Sequence, residues 1–156
     1  MQRPSDRWID RNGGLASGPD VDRLRRAAAP IVAAGGVPVR LSVVATPALG
    51  AWSWPDGSIF VSRGLLHIVT DAELAAIVGH EIGHLSTQTG ATRQGALSET
   101  SGDLATESAA DEFAVRLLDR NHLPKTAMRT ALQKLLSLSD ATESRDGLDA
   151  RLAKLP

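Results

Sequence analysis

The sequence has no cysteine and no tyrosine, and aromatic residues make up only 3% of its 156 residues. Without cysteine the chain can form no disulfide bond, and thiolates are excluded as ligands of any metal site. Neither sign of charge dominates, since 17 lysines and arginines stand against 18 aspartates and glutamates and the formal net charge is −1. This balance gives no electrostatic reason to expect binding to nucleic acid or to an anionic membrane.

Long hydrophobic runs are also missing. The longest apolar stretch covers residues 27–34, is interrupted by Pro30, and is far too short to cross a bilayer. No signal peptide is visible, because residues 2–10 are polar. We therefore expect the chain as given to be soluble, and its compartment stays open: cytoplasmic, or exported or membrane-associated if the native protein carries a signal or an anchor.

What the sequence does contain is the segment HEIGH at residues 80–84, which fits the pattern H-E-x-x-H. In a helix, His80 and His84 lie one turn apart on the same face, so both imidazoles can reach one ion. Glu81 is rotated by about 100° from His80 and flanks that ion. Zinc lowers the pKa of a bound water and a nearby carboxylate can take the proton, so the pattern suits metal-dependent hydrolysis.

A catalytic zinc ion keeps three protein ligands and one open position, so a third ligand is needed. No histidine follows HEIGH at the spacing H-x-x-G-x-x-H. Downstream, Glu107 and Asp111 are four residues apart and therefore share one face of a helix. We interpret Glu107 as the ligand and Asp111 as a carboxylate that orients a ligand histidine. The weaker candidates are Glu99, Asp103 and Glu112.

The periodicity of the remaining chain predicts an α+β fold. Residues 19–34 are expected to form a helix, residues 37–43 a strand, and residues 51–54 and 58–61 a hairpin around Pro55-Asp56-Gly57. Thr70 and Glu73 have the spacing of a capping box, which begins the HEIGH helix.

Three more helices are expected, one containing Glu107 and ending near residue 121, one after Pro124, and a short one over residues 147–155. The expected architecture is a small, mainly antiparallel sheet packed on helices. Residues 19–156 are predicted to be one domain, preceded by a flexible arm over residues 1–18.

These motifs together resemble a known family. HEIGH and the E-x-x-A-D of residues 107–111 are similar to motifs of the gluzincin metallopeptidases that include the protease HtpX and the CAAX prenyl proteases. Residues 50–66 are similar to the family's N-A-F-A-x-P-G-G-x-I-x-V-x-x-G-L-L, and Leu148-x-x-Arg151-Leu152 to the end of its H-P-x-L-x-x-R-I. The resemblance covers about residues 37–155, and the small soluble minigluzincins are nearest in size.

The resemblance implies a zincin-like catalytic domain with one Zn²⁺ per chain. Its ligands would be His80, His84 and Glu107, with Glu81 as general base and Asp111 as the partner of His80. It also implies a substrate-binding edge strand, which pairs with the backbone of an extended peptide. That strand would consist of Ala51, Trp52, Ser53 and Trp54.

The sequence departs from the family's pattern at two positions. Arg145 stands where the family has a histidine that is thought to stabilise the oxyanion of the tetrahedral intermediate, and an arginine can serve there as a fixed cation or remain a solvated charge. Gly50 replaces the asparagine at the start of the edge strand, which puts the local pinning of that strand in question.

We therefore predict a zinc-dependent endopeptidase that cleaves extended or unfolded polypeptides with a metal-activated water. The main alternative, supported by Arg145, is a catalytically impaired zinc-binding regulatory or binding module of the same fold. A third hypothesis is a hydrolase that acts on a non-peptide amide.

Overall fold

The computed structural model describes residues 3–87, 95–96, 104–138 and 142–156. In these ranges the chain forms seven helices and four strands, which confirms the predicted α+β class. None of the described helices is long and apolar enough to cross a bilayer. The elements follow in the order α1 (Pro4–Arg11), α2 (Pro19–Ala34), β1 (Arg40–Val44), β2 (Ala51–Ser53), β3 (Ser58–Ser62), α3 (Arg63–Leu66), α4 (Asp71–Thr87), β4 (Gly95–Ala96), α5 (Leu104–Arg120), α6 (Ala127–Leu138) and α7 (Thr142–Leu152).

The four strands form one mixed sheet in the order β1-β3-β2-β4. The predicted hairpin is confirmed, because β2 runs antiparallel to β3 with Ala51 opposite Val61 and Ser53 opposite Ile59. β4 continues the sheet as an antiparallel partner of β2, whereas β1 pairs with β3 in parallel. Two of the three pairings are thus antiparallel, and the third joins strands that are separated along the chain.

Helix α4, which carries HEIGH, lies at the centre of the molecule. It begins with the predicted capping box: the Glu73 N–H donates to Thr70 Oγ1 at 3.2 Å, and the Thr70 N–H donates to the Glu73 carboxylate at 3.3 Å. Every residue from Glu73 to His84 is buried, so this helix has no solvent-facing side over three turns. A helix buried all round holds its functional side chains in a rigid setting.

Two glycines let α5 approach α4 closely. A Cβ at Gly83 would lie 3.1 Å from Ala110 Cα, and one at Gly79 would lie 3.3 Å from Ala114 Cα. Each glycine weakens the helix by about 1 kcal/mol relative to alanine. Because they have no side chain, the first turns of α5 can lie directly beside HEIGH.

The arm predicted to be flexible contains a helix. Trp8 of α1 packs on the sheet, with its ring centroid 4.8 Å from that of Trp52, 6.3 Å from that of Trp54 and 5.6 Å from that of Phe60. Such pairs favour edge-to-face contact and bury large areas. The contact is between segments distant in the chain, so the polar composition of residues 1–18 gave no sign of it. Likewise, α7 begins at Thr142, five residues earlier than predicted.

Candidate metal centre

Three side chains from two helices converge at the crossing of α4 and α5. His80 and His84 lie one turn apart on α4, and Glu107 projects from the first turn of α5. The Nε2 atoms of the two histidines are 3.0 Å apart. The carboxylate of Glu107 lies 3.2 Å from each of them, through Oε2 to His80 and through Oε1 to His84.

This donor set fits a divalent metal ion. Ligand atoms around a tetrahedral zinc ion, with bonds of about 2.0–2.1 Å, stand about 3.3 Å from one another. The three distances between His80, His84 and Glu107 are close to that value, and all three residues are buried. Two imidazoles and one carboxylate are also the composition of known catalytic zinc sites that keep a fourth position for water.

A second layer of polar groups holds His80 in place. Asp111 lies one turn after Glu107, and its Oδ1 is 2.8 Å from His80 Nδ1. Arg151 of α7 donates to both Asp111 oxygens, at 2.8 Å from Nε and 2.7 Å from Nη2. Its Nη1 also lies 3.6 Å from Glu107 Oε2. Because Asp111 takes the Nδ1 side of the ring, Nε2 of His80 is the atom directed at the metal position.

The charges of this cluster shift the pKa of its members. Burial alone would lower the pKa of His80, but Asp111 and Glu107 outweigh it and raise the pKa to about 9. Burial alone would raise the pKa of Glu107, yet the hydrogen bonds from His80 and His84 hold it well below its usual range. For Asp111, Arg151 and His80 likewise overcome burial and lower the pKa. Both carboxylates are therefore ionised at neutral pH, as metal binding and histidine orientation require.

Glu81 has a different environment, although it is the neighbour of His80. Its side chain is fully buried, and neither carboxylate oxygen has a hydrogen-bond partner among the described residues. Burial raises its pKa to about 7, against the opposing effects of the His80 charge and the nearby Ser53 hydroxyl. A carboxylate with a pKa near neutrality can both accept and return a proton.

Strand β2 was predicted to be an edge strand, but it lies between β3 and β4 in the sheet. Its two faces have different surroundings. Ser53 is buried on the side of Glu81, whereas Trp52 and Trp54 lie with Trp8 in an aromatic cluster. The outer edge of β2 is paired with β4, with Trp52 opposite Ala96 and Ser53 opposite Gly95. The structure thus places the Ser53 side chain beside Glu81 and packs the tryptophan side chains in the aromatic cluster.

The structure accounts for glycine at position 50. A Cβ there would lie 2.5 Å from a ring atom of Trp52, so a larger residue would collide with the indole. The strand is pinned instead through Ser62, whose Oγ accepts from the Gly50 N–H at 3.1 Å and whose N–H donates to the Gly50 carbonyl at 2.9 Å. The start of β2 is therefore held by two hydrogen bonds to Ser62 and does not need the asparagine of the family.

Of the other sequence candidates, the structure describes only the side chain of Glu112, which does not join the cluster. Glu112 is exposed on α5. Glu99 and Asp103 lie outside the described residues, as does the side chain of Arg145, whose backbone belongs to α7.

Arg151 is the residue whose contribution the sequence reasoning missed. Its guanidinium is buried against Asp111, yet we had noted it only as part of Leu148-x-x-Arg151-Leu152. The match to the family motif was the one signal for Arg151, since arginine is the residue favoured for buried ion pairs, but it did not identify Asp111 as the partner.

Comparison with known proteins gives the same assignment. Residues 19–101, more than half of the chain, match peptidase family M48. The chain is 26% identical over 141 residues to Metalloprotease LoiP of Escherichia coli K12, covering 70% of this chain and 56% of that protein. It is 35% identical over 51 residues to Metalloprotease YcaL of the same organism, covering 33% and 20%. It is 44% identical over 50 residues to Mitochondrial metalloendopeptidase OMA1 of Arabidopsis thaliana, covering 31% and 10%.

An HExxH helix that meets a carboxylate from a second helix defines the class of the HExxH metallopeptidases. Within this class, the chain belongs to peptidase family M48, whose metalloproteases use a metal. The predicted family resemblance is thereby confirmed. The chain spans between about a tenth and just over half of the length of the three relatives named above.

Proposed function

We propose that this chain is a zinc-dependent endopeptidase domain that hydrolyses peptide bonds of extended or unfolded polypeptides. The observation that carries the proposal is Glu81, a buried carboxylate beside the His80–His84–Glu107 cluster that has no hydrogen-bond partner in the described part of the chain. No structural need explains a buried, unsatisfied carboxylate, since such a group costs stability. One Zn²⁺, held by those three residues, would polarise the scissile carbonyl and lower the pKa of a water.

Glu81 acts as the general base in this proposal. It takes a proton from the attacking water and then delivers that proton to the amine that leaves. A pKa of about 7 suits both steps, because the group loses and gains a proton at little cost near neutral pH.

Asp111 and Arg151 act through the ligands. Asp111 fixes the ring of His80 with Nε2 directed at the metal, and the two hydrogen bonds from Arg151 fix Asp111. Arg151 also lies near Glu107. Its guanidinium therefore restrains both the ligand Glu107 and Asp111, the partner of the ligand His80. This arrangement keeps the donor atoms preorganised.

The substrate would lie along β2. The pairing of β2 with β4 supports this, because it demonstrates that β2 accepts an antiparallel partner at Trp52 and Ser53. Pairing through main-chain hydrogen bonds depends little on the side chains of the substrate, and it requires an extended chain. We therefore expect unfolded or loop segments as substrates, which take the place of β4 and lie across Glu81. The backbone of Ala51 to Trp54 would provide the contacts.

The last part of the proposal concerns Arg145 and rests on its position in the sequence. It occupies the position of the family's histidine and lies in α7, the same helix as Arg151. We propose that its guanidinium stabilises the oxyanion of the tetrahedral intermediate.

The exchange Glu81→Gln tests the proposal. Glutamine keeps the shape of glutamate but cannot take a proton, so cleavage of unfolded casein or of a quenched peptide should fall by on the order of 10²–10⁴-fold. The zinc content of the variant should remain one per chain, measured by elemental analysis. Equal cleavage by the wild type and by Glu81→Gln would contradict the assignment of this chain as a hydrolase. A wild-type chain that holds zinc but cleaves neither substrate would favour the alternative, the regulatory or binding module, for which Arg145 is the supporting observation.

A further inference from the structure

A second cleft lies at the other end of the sheet, beside β1. Its cavity of about 650 Å³ is within the usual range for ligand sites. The walls are α1, through Ile9, and α2, through Ala29 and Val32, and β1 forms the floor. We call this the β1 cleft.

The floor of the β1 cleft includes one face of the sheet and the outer edge of β1. Arg40 and Ser42 line it together with Ser58 and Phe60, their partners on β3, which gives the face. Val39 and Leu41 line the cavity as well, so it also reaches around the edge of β1. Arg40 donates its N–H to Gly57, so its peptide groups face β3, and those of Leu41 face the opposite way, into the cleft. The chain itself covers this edge further along, where the Ala16 N–H donates to the Val43 carbonyl.

The mouth of the β1 cleft is positively charged. Three arginines and one aspartate line it, although the chain as a whole has a net charge of −1. Arg3 and Arg40 are partly neutralised by Asp6 and Asp56, at 3.3–3.8 Å. Arg25 is exposed and has no ion pair among the described residues. An anionic partner would therefore gain most of its electrostatic stabilisation from Arg25.

We propose that the β1 cleft is a docking site, separate from the metal centre, for an extended polypeptide segment with acidic side chains. The segment adds a strand to β1 through the peptide groups of Leu41, lays apolar side chains between α1 and α2, and places a carboxylate on Arg25. A sheet edge whose peptide groups face a cleft invites such pairing, and the arginines select against basic segments. The proposal does not depend on the metal or on catalysis.

The test is a binding titration with two fluorescein-labelled peptides of eight residues in which valine alternates with threonine. One ends in two glutamates and the other in two lysines. All proteins carry Glu81→Gln so that no peptide is cleaved. We expect the acidic peptide to bind about tenfold or more tightly than the basic one, and Arg25→Glu to reverse that preference.

Arg26→Glu is the matched control, because Arg26 is exposed on the same helix but does not line the cleft. It should change the affinity by no more than about twofold. Ala29→Trp, which fills the cavity, should abolish binding of the acidic peptide. In a ¹⁵N-labelled protein, the Leu41 amide should shift and exchange more slowly when the acidic peptide is bound.

Three results would overturn the proposal. The first is an equal loss with Arg25→Glu and Arg26→Glu, which indicates unspecific charge attraction. The second is binding that leaves the Leu41 amide unchanged. The third is a dimer of this chain in sedimentation that Arg25→Glu or Ala29→Trp disrupts, without binding of either peptide, which would make a second copy the occupant of the cleft.

Discussion

The two ends of the sheet differ in how their edges are used. At the metal end, the outer edge of β2 is paired with β4 of the same chain, and the helices below it carry the ligand cluster. At the far end, β1 presents Leu41 to a cleft that no described residue fills. The edge beside the reactive groups is thus covered, whereas the edge far from them is open at Leu41. The comparison predicts that changes at the metal end alter metal binding and catalysis, and that changes at the far end do not.

The largest effect is expected from loss of the third ligand. Glu107→Gln removes the negative charge of the cluster and replaces it with a weak neutral donor, so the chain should bind less than one zinc ion and lose peptidase activity to background. Zinc content by elemental analysis and cleavage of a quenched peptide are the measurements. Arg25→Glu, in the β1 cleft, should retain both, and a zinc-loaded Glu107→Gln protein would refute the assignment of the ligand.

The next effect is a dependence of zinc affinity on pH. In the metal-free protein the pKa of His80 is raised to about 9, so below that pH a proton occupies the atom that binds the metal. Zinc must displace this proton, and its affinity should rise about tenfold for each pH unit between pH 6 and pH 8. Calorimetric titrations in buffers of different ionisation enthalpy would count the released protons. A zinc affinity that is constant between pH 6 and pH 8 would show that no proton on His80 is displaced when zinc binds.

A smaller effect is expected one step away from the metal. Asp111→Asn keeps the shape of the side chain but weakens its hold on the His80 ring and leaves Arg151 with Glu107, at 3.6 Å, as its anionic partner. Zinc affinity should fall by about 10–100-fold. Competition with a chelating dye measures it. A drop in affinity with an unchanged melting temperature would locate the effect at the site, whereas unchanged affinity would show that Asp111 does not orient the ligand.

The smallest effect concerns the covered edge itself. Proline at both Gly95 and Ala96 removes the N–H that β4 can donate to β2, so the strand should pair less well and leave β2 open to substrate. We expect a few-fold increase in the rate of peptide cleavage and no change in zinc content. If the rate is unchanged or lower, β4 does not compete with substrate. The pairing of β2 with β4 then has no effect on activity.

The local parts of this molecule were the predictable ones. The spacing of His80 and His84, the capping box at Thr70 and the hairpin turn at Pro55-Asp56-Gly57 each depend on residues within a few positions of one another. Backbone geometry alone fixes such relations, and the structure confirms them.

The parts that escaped prediction depend on distant contacts. Nothing near β1 indicates that it pairs in parallel with β3, and nothing near Trp8 indicates the aromatic cluster on the sheet. Arg151 lies 40 residues after Asp111, so no periodicity links them. Single-residue chemistry cannot reveal such partners, since many surfaces could receive a tryptophan or an arginine.

The position of Arg151 also sets an order of events during synthesis. A growing chain emerges with its N-terminal segments first, so α4 and α5 are available well before α7. Until residue 151 has left the ribosome, Asp111 lacks its guanidinium and the metal cluster lacks one of its restraints. A nascent chain would therefore carry α4 and α5 with an incomplete metal cluster until residue 151 has emerged.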